Sequence, residues 1–241
     1  MNKPIYDDPF FEVYDRDDPA YGLQPSADLA SYLRQCQPAG EALDLGAGAG
    51  RDTLVLASAG LNVLAVDRSE RGLRLLSERA ATLGIGSRVS TVAADVRQLS
   101  IPEGHYHVIS ATTVLDHIPP ADARKLWQRL IAGLTSDGTL YAEVHSTDDP
   151  GSETGQGAES VAPVSETARH VVNYFRPNQL LKWAIEEPGL RVLRYEERSE
   201  WDYTHGPEHF HGKAILLVSK NPSIQHWFGN PLAFPRKPLR S

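Results

Sequence analysis

Two patterns of apolar residues alternate along this chain. Short apolar runs are separated by longer segments in which apolar residues recur every three or four positions. The first pattern predicts β-strands and the second predicts amphipathic helices. The strands are predicted at 41–45, 62–66, 88–93, 106–111 and 139–145. The helices are predicted at 27–36, 51–59, 69–83 and 120–134. Strands that alternate with helices predict a parallel sheet with right-handed crossovers.

The remaining segments have a different character. Ser26 stands where it could cap the first helix. Residues 190–195 and 213–220 each predict a further strand. The polar stretch 146–168 is interpreted either as a solvated loop or as a lid, because it leaves the carboxyl end of a strand. The proline-containing tail after 221 is expected to pack on the surface or to be disordered.

A glycine-rich loop follows the first strand. Asp44 ends the apolar run, and Gly46, Gly48 and Gly50 follow at alternate positions. Glycine allows positive φ angles and close approach of a ligand to the backbone, and the next helix points unpaired N–H groups at the same spot. Asp67 comes about 20 residues after this loop, where an acid can bind both hydroxyls of a ribose. This arrangement predicts a nucleoside site.

The same loop argues against a dinucleotide. The fingerprint G-x-G-x-x-G would require glycine at position 51, where this chain has Arg51. Asp44 would also repel a pyrophosphate and instead suits a cationic amino group. A ligand with an ammonium, a ribose and an adenine but no phosphate fits better, and S-adenosylmethionine is such a ligand.

Four motifs together resemble those of the class I S-adenosylmethionine-dependent methyltransferases. Leu43–Arg51 resembles the first motif and Val66–Ser69 the second. Ala93–Val96 resembles the third, and Tyr106–Ala111 resembles the fourth. The resemblance implies an α/β fold with a Rossmann-like, doubly wound, mostly parallel seven-stranded sheet and an antiparallel C-terminal strand. It also implies that S-adenosylmethionine binds and leaves as S-adenosylhomocysteine.

The resemblance implies specific cofactor contacts. Asp44 and the glycines would hold the methionine end, Asp67 the ribose, and Asp95 with Val96 the adenine. The residues expected to bind the cofactor are Tyr21, Asp44, Gly46, Ala47, Gly48, Arg51, Asp67, Arg68, Asp95, Val96, Ala111 and Thr112.

Two of these cofactor contacts have alternatives. Arg51 would bind the cofactor carboxylate or a metalloid oxyanion, or would simply be an exposed residue of the first helical turn. Tyr21 and nearby aromatic residues would cover the sulfonium, or would only pack on the core.

Further segments resemble the small-molecule branch that includes tellurite-resistance and thiopurine-type methyltransferases. They are Thr147–Gly151, Tyr174–Leu181, Tyr195–Glu197 and His209–Ala214. The implied acceptor is a small molecule methylated at oxygen, nitrogen, sulfur or a metalloid oxyanion. A non-catalytic module that binds the cofactor is the main alternative, and an NAD(P)-dependent oxidoreductase is a weaker one.

Histidines are the candidates for removing a proton from the methyl acceptor. A thiolate or an oxyanion needs no base, whereas a phenol or amine needs its proton removed, a task that suits histidine. The catalytic candidates are His117, His145, His209 and His211. His205, His209 and His211 also resemble a metal site, but no nearby Asp or Cys ligand is evident, so no metal is expected.

Composition and charge limit the partners and the cross-links that this chain is expected to have. The chain has 241 residues, a net charge of −7 and one cysteine, Cys36. The acidic balance argues against a nucleic-acid substrate, and a single cysteine excludes an intrachain disulfide. No signal peptide and no apolar run near 18 residues is evident, so a cytoplasmic enzyme without membrane contact is expected.

One domain is expected, with five functional parts. They are an N-terminal cap over the site at 1–40, a cofactor-binding half at 41–145, a possible lid loop at 146–175, C-terminal strands at 176–220 and a tail at 221–241. The sequence leaves the oligomeric state open.

Overall fold

A seven-stranded mixed sheet forms the centre of the protein. The computed structural model describes residues 14, 22, 24–152, 163–165, 168–203 and 207–221. Within these residues the strand order is β3-β2-β1-β4-β5-β7-β6, where β1 to β5 are parallel and β7 runs antiparallel to both of its neighbours. The predicted Rossmann-like fold class with its antiparallel C-terminal strand is therefore confirmed.

The first four helices and most of the strands lie close to their predicted positions, whereas the fifth strand begins five residues earlier than predicted and the fifth helix was not predicted. The strands are β1 Glu41–Leu45, β2 Asn62–Asp67, β3 Val89–Ala93, β4 Tyr106–Thr112, β5 Leu134–His145, β6 Arg191–Asp202 and β7 His209–Ser219. The described α-helices are α1 Ala27–Cys36, α2 Arg51–Ser58, α3 Glu70–Thr82, α4 Pro120–Gly133 and α5 Gln179–Ile185. Short 3₁₀ helices lie at Gly86–Arg88 and Ala168–His170. The tail prediction falls outside the described residues. No described helix has the length and apolar character needed to cross a membrane.

Both faces of the sheet are buried, and adjacent residues of a strand face opposite sides. Leu43 and Ile109 pack with the apolar faces of α4 and α5. Their neighbours Ala42 and Val108 pack with α1 and α2 on the other face. This alternation is the period of a β-strand. It also explains why the central strands read as continuous apolar runs.

The C-terminal hairpin is longer than predicted. β6 continues to Asp202, and β7 begins at His209. The extension of β6 carries alternating charges instead of apolar residues, which is why no apolar run marks it. Arg198 pairs with Glu196 at 3.3 Å and with Glu200 at 2.9 Å along this edge strand. The hairpin extension carries the first residues of β7 towards the carboxyl end of β5.

β1 and β4 are neighbours although β2 and β3 lie between them in the chain. The strand order therefore reverses at this pair. In open parallel sheets, ligands bind beyond the carboxyl ends of the strands at such a switch point. Asp44 lies beside Ser110 in the β1–β4 register, so the glycine loop after β1 opens at this point.

A glycine on β7 permits close packing of the loop after β5. A Cβ at Gly212 would overlap the backbone of Asp148 and Asp149. We expect Gly212→Ala to reduce the free energy of unfolding by about 1–3 kcal/mol, as overpacking does, when measured by urea denaturation. The matched control is Gly86→Ala, where the added Cβ makes only ordinary contacts and the change should stay within about 1 kcal/mol. Equal effects of the two substitutions would contradict this packing argument.

Candidate functional site

One cavity of about 390 Å³ lies at the carboxyl ends of the parallel strands. It is lined both by predicted cofactor-binding residues and by predicted catalytic histidines. The predicted residues that line it are Asp44, Gly46, Ala47, Arg51, Asp67, Arg68, Asp95, Val96, Thr112, His117, His145 and His211. Gly48, Ala111 and His209 do not line it, and Tyr21 and His205 lie outside the described residues. The side chain of Ala111 lies in the hydrophobic core.

The glycine loop has the backbone that its sequence predicts. Gly46, Gly48 and Gly50 have φ angles of 67°, 49° and 94°, in the left-handed region that disfavours other residues. The Gly46 N–H donates to the carbonyl of Val66 at 2.8 Å, which ties the loop to β2. The hydroxyl of Tyr14 occupies the space that a side chain at Gly48 would need. An aromatic residue of the N-terminal segment therefore lies directly on the loop.

Asp67 joins the loops that follow β1 and β2. One carboxylate oxygen accepts the Gly48 N–H at 2.8 Å, and the other accepts the Ser69 N–H at 2.7 Å. Ser69 in turn caps α3 by accepting from the Gly72 N–H at 3.1 Å. The Asp67 carboxylate is thus fixed at the cavity wall by main-chain donors, although each oxygen can accept a further hydrogen bond.

Asp44 and Asp52 form a pair of buried acids beneath the loop. Thr53 donates its hydroxyl to Asp44 at 2.5 Å, and Thr112 donates to Asp52 at 2.9 Å. Burial, and then the charge of Asp52, raise the pKa of Asp44 to about 7. A carboxyl group with this pKa responds strongly to a nearby cation.

Ser26 does not cap its helix with its side chain, contrary to the sequence expectation. Its N–H and hydroxyl instead donate to the two oxygens of Asp52 at 2.8 and 3.0 Å. Arg51 also donates to the Ser26 hydroxyl at 3.3 Å, and its guanidinium lies 3.7 Å from Asp52. Asp52 directly follows the first motif, and its role could not be predicted because its hydrogen-bond partners Ser26 and Thr112 lie far away in sequence.

Asp95, which also lines the cavity, accepts hydrogen bonds from Arg97. The guanidinium Nε lies 3.0 and 2.9 Å from the two carboxylate oxygens. This hydrogen bonding lowers the pKa of Asp95. Val96 is buried beside it. The acid expected to meet an adenine is therefore charged and oriented by its own neighbour.

A histidine cluster, formed by His117, His145 and His211, also lines the cavity. His145, at the end of β5, directs Nδ1 at the buried Asp116 carboxylate at 2.5 Å, and its main-chain N–H donates to the same oxygen at 3.0 Å. Because Nδ1 faces a carboxylate it carries the proton, which leaves Nε2 as a hydrogen-bond acceptor. Burial alone would raise the pKa of Asp116, but His117 and His145 outweigh it and lower the pKa.

The cluster includes His117, which is held by the predicted lid segment. Its Nδ1 lies 2.9 Å from the carbonyl of His170, and burial lowers its pKa. Arg169, His170 and Val172 from this segment line the cavity. The described part of the segment therefore forms a wall of the site, while its action as a lid stays a prediction.

His209 and His211 lie on the same face of β7. His211 directs Nδ1 at Asp149 at 2.8 Å, and its Nε2 lies 3.9 Å from Asp202. Burial lowers the pKa of His211. The sequence interpretation that no acidic residue accompanies these histidines is wrong. Asp149 and Asp202 were missed because they reach the histidines through a loop and through the pairing of β6 with β7. Neither arrangement leaves a local pattern in the sequence.

The raised pKa of Asp44 has a measurable cost in the absence of a ligand. Its ordinary value is 3.8, so the folded chain holds this proton more strongly than the unfolded chain. That contribution is complete below pH 3.8, declines as the pH rises and is lost above about 7. Asp44→Asn removes the ionisation, so we expect it to stabilise the ligand-free protein at pH 8 by up to about 4 kcal/mol, since each pKa unit is worth about 1.36 kcal/mol.

The measurement is urea denaturation at pH 5 and pH 8. The gain for Asp44→Asn should be larger at pH 8, whereas the exposed control Asp137→Asn should change little at either pH. A gain that does not depend on pH would contradict the assignment.

Known proteins and a protein family that match this chain in sequence are described as methyltransferases. Residues 42–138 match the family described as "Methyltransferase domain". A ubiquinone biosynthesis O-methyltransferase of Colwellia psychrerythraea is 28% identical over 155 residues, which cover 63% of this chain and 61% of that protein. The chain spans less than two thirds of the length of the curated relatives that it matches.

Solved structures share the fold, among them the following two. TehB from Haemophilus influenzae has a TM-score of 0.63 at 20% identity, covering 80% of this chain and 62% of that one. A magnesium protoporphyrin IX methyltransferase from Synechocystis, with bound S-adenosylmethionine, has a TM-score of 0.55 at 20% identity, covering 80% of this chain and 76% of that one.

Proposed function

We propose that the protein is a class I S-adenosylmethionine-dependent methyltransferase that transfers a methyl group from S-adenosylmethionine to a small-molecule acceptor. The match of residues 42–138 to a methyltransferase domain family supports this proposal. The observation that carries the proposal is the single cavity shared by the glycine loop and the histidine cluster. One end offers backbone and acids for a nucleoside with an amino-acid tail. The other end offers polar side chains for a second molecule.

The residues of the loop end suit this cofactor. The ammonium group would lie towards Asp44 and Asp52, where a cation relieves the repulsion between two buried carboxylates. Asp67 would bind the ribose hydroxyls and Asp95 the adenine amino group. This cofactor contains no phosphate, so the site needs no phosphate-binding groups. The carboxylates of Asp44 and Asp52 would repel a phosphate. The Synechocystis structure with bound S-adenosylmethionine supports the same choice.

S-adenosylmethionine supplies a methyl group that is already activated, so the protein mainly has to position the acceptor and exclude water. His145 is well placed to orient that acceptor. Its Nε2 is kept as a hydrogen-bond acceptor by the Asp116 contact. It would accept a hydrogen bond from an O–H or N–H of the acceptor and take the proton as the methyl group is transferred. We therefore propose an acceptor with an acidic hydroxyl or an amine.

Ligand binding tests the cofactor assignment. We expect S-adenosylmethionine and S-adenosylhomocysteine to raise the melting temperature of the full chain, since a ligand at 100 times its Kd adds about 2.7 kcal/mol. Asp67→Asn should greatly reduce this shift, whereas Asp122→Asn, in the first turn of α4 and outside this cavity, should leave it unchanged. A shift with NAD or NADP but not with the adenosyl ligands would refute the proposal.

Turnover tests the role of His145. With a panel of phenols, amines, thiols and oxyanions, we expect S-adenosylhomocysteine to form with at least one O–H or N–H acceptor. His145→Gln should lower kcat for that acceptor by about 100-fold or more while the Kd for S-adenosylmethionine changes little. The control is His105→Gln, outside the cavity. Tight cofactor binding without turnover on any acceptor would instead indicate a non-catalytic binding module.

A further inference from the structure

The end of the β6–β7 hairpin gathers three potential metal ligands. His209 and His211 alternate on β7, so their rings project from the same face of the sheet. Asp202 is the register partner of His209 on β6. One ligand atom from each of these residues lies within 4.8 Å of the other two. Both histidines are almost completely buried.

The hydrogen bonds of the two rings fix their protonation. The Nδ1 atom of His209 lies 2.7 Å from the carbonyl of Pro207, and the Nδ1 atom of His211 lies 2.8 Å from the carboxylate of Asp149. A carbonyl and a carboxylate only accept, so each Nδ1 carries a proton. In neutral imidazoles the Nε2 atoms then hold lone pairs.

These two Nε2 atoms face each other at 3.0 Å. Two lone pairs at this distance repel unless a cation or an extra proton lies between them. Zinc–nitrogen bonds are about 2.0–2.1 Å long, so two nitrogens about 3 Å apart can share one cation. Asp202 Oδ2, 3.9 Å from the Nε2 atom of His211, would complete the set after a small side-chain rotation.

We propose that His209, His211 and Asp202 bind one divalent first-row transition cation, with Zn²⁺ as the reference ion. Two imidazoles and a carboxylate are a donor set that such cations accept, and it leaves coordination positions open. The Asp149 carboxylate and the Pro207 carbonyl are the outer partners that orient the ligating rings, an arrangement typical of protein metal sites.

The site goes beyond the proposed methyl transfer and does not depend on it. Asp202 and His211 also line the cavity, together with His145. A cation here would therefore lie in the wall of the half that is proposed to receive the acceptor. It would favour an acceptor that offers an anionic oxygen or sulfur as a further ligand.

Metal binding by the full chain, without cofactor or acceptor, tests the proposal. Tag-free protein is treated with EDTA, dialysed and titrated with Zn²⁺ by calorimetry, and with Co²⁺ by visible absorption. We expect one ion per chain. His209→Asn and Asp202→Asn should each weaken Zn²⁺ binding by more than about 10-fold, and His105→Asn should leave it unchanged. Asp202→Asn keeps the side-chain shape, so it remains informative if His209→Asn impairs folding.

Other outcomes would overturn the proposal. Absence of Zn²⁺ and Co²⁺ binding by the wild-type chain would mean that a shared proton, not a metal ion, separates the two rings. Binding that neither His209→Asn nor Asp202→Asn weakens would place the ion elsewhere. Circular dichroism and melting temperatures of the metal-free variants establish that each compared protein is folded.

Discussion

The buried carboxylate of Asp52 connects three distant parts of the chain at the switch point of the sheet. Its oxygens receive hydrogen bonds from Ser26 before α1 and from Thr112 at the end of β4. A buried charge without such partners would cost several kcal/mol. The position of the N-terminal helix, the start of α2 and the end of β4 therefore depend on one another, and the glycine loop is held between them.

The cofactor half could be predicted because its information is local. The acid, the three glycines and Asp67 lie within one strand–helix–strand unit, and their spacing sets both the turn and the approach of a ligand. The first four helices and the central strands could be predicted equally well, because burial on both faces of the sheet leaves clear apolar patterns. Their ends fell within a few residues of the prediction, apart from those in the C-terminal part of the sheet.

The half of the site that contains the histidines could not be predicted from local sequence patterns. Asp116, Asp149 and Asp202 meet the histidines through a loop, a strand end and an antiparallel pairing, each distant in sequence. The β6 extension that pairs with the start of β7 at His209 is rich in charged residues that form ion pairs along this edge strand. Such a strand carries no apolar run, so its length and its contribution to the site became visible only in three dimensions.

Asp44 gives the cavity a property that its shape alone does not reveal. A carboxyl group with a pKa of about 7 is protonated in roughly half of the molecules at neutral pH. A ligand that places an ammonium beside it would favour the ionised form, so those molecules that hold the proton would release it as the ligand binds. Binding of such a ligand and release of a proton to solvent would then be coupled, and its affinity would depend on pH.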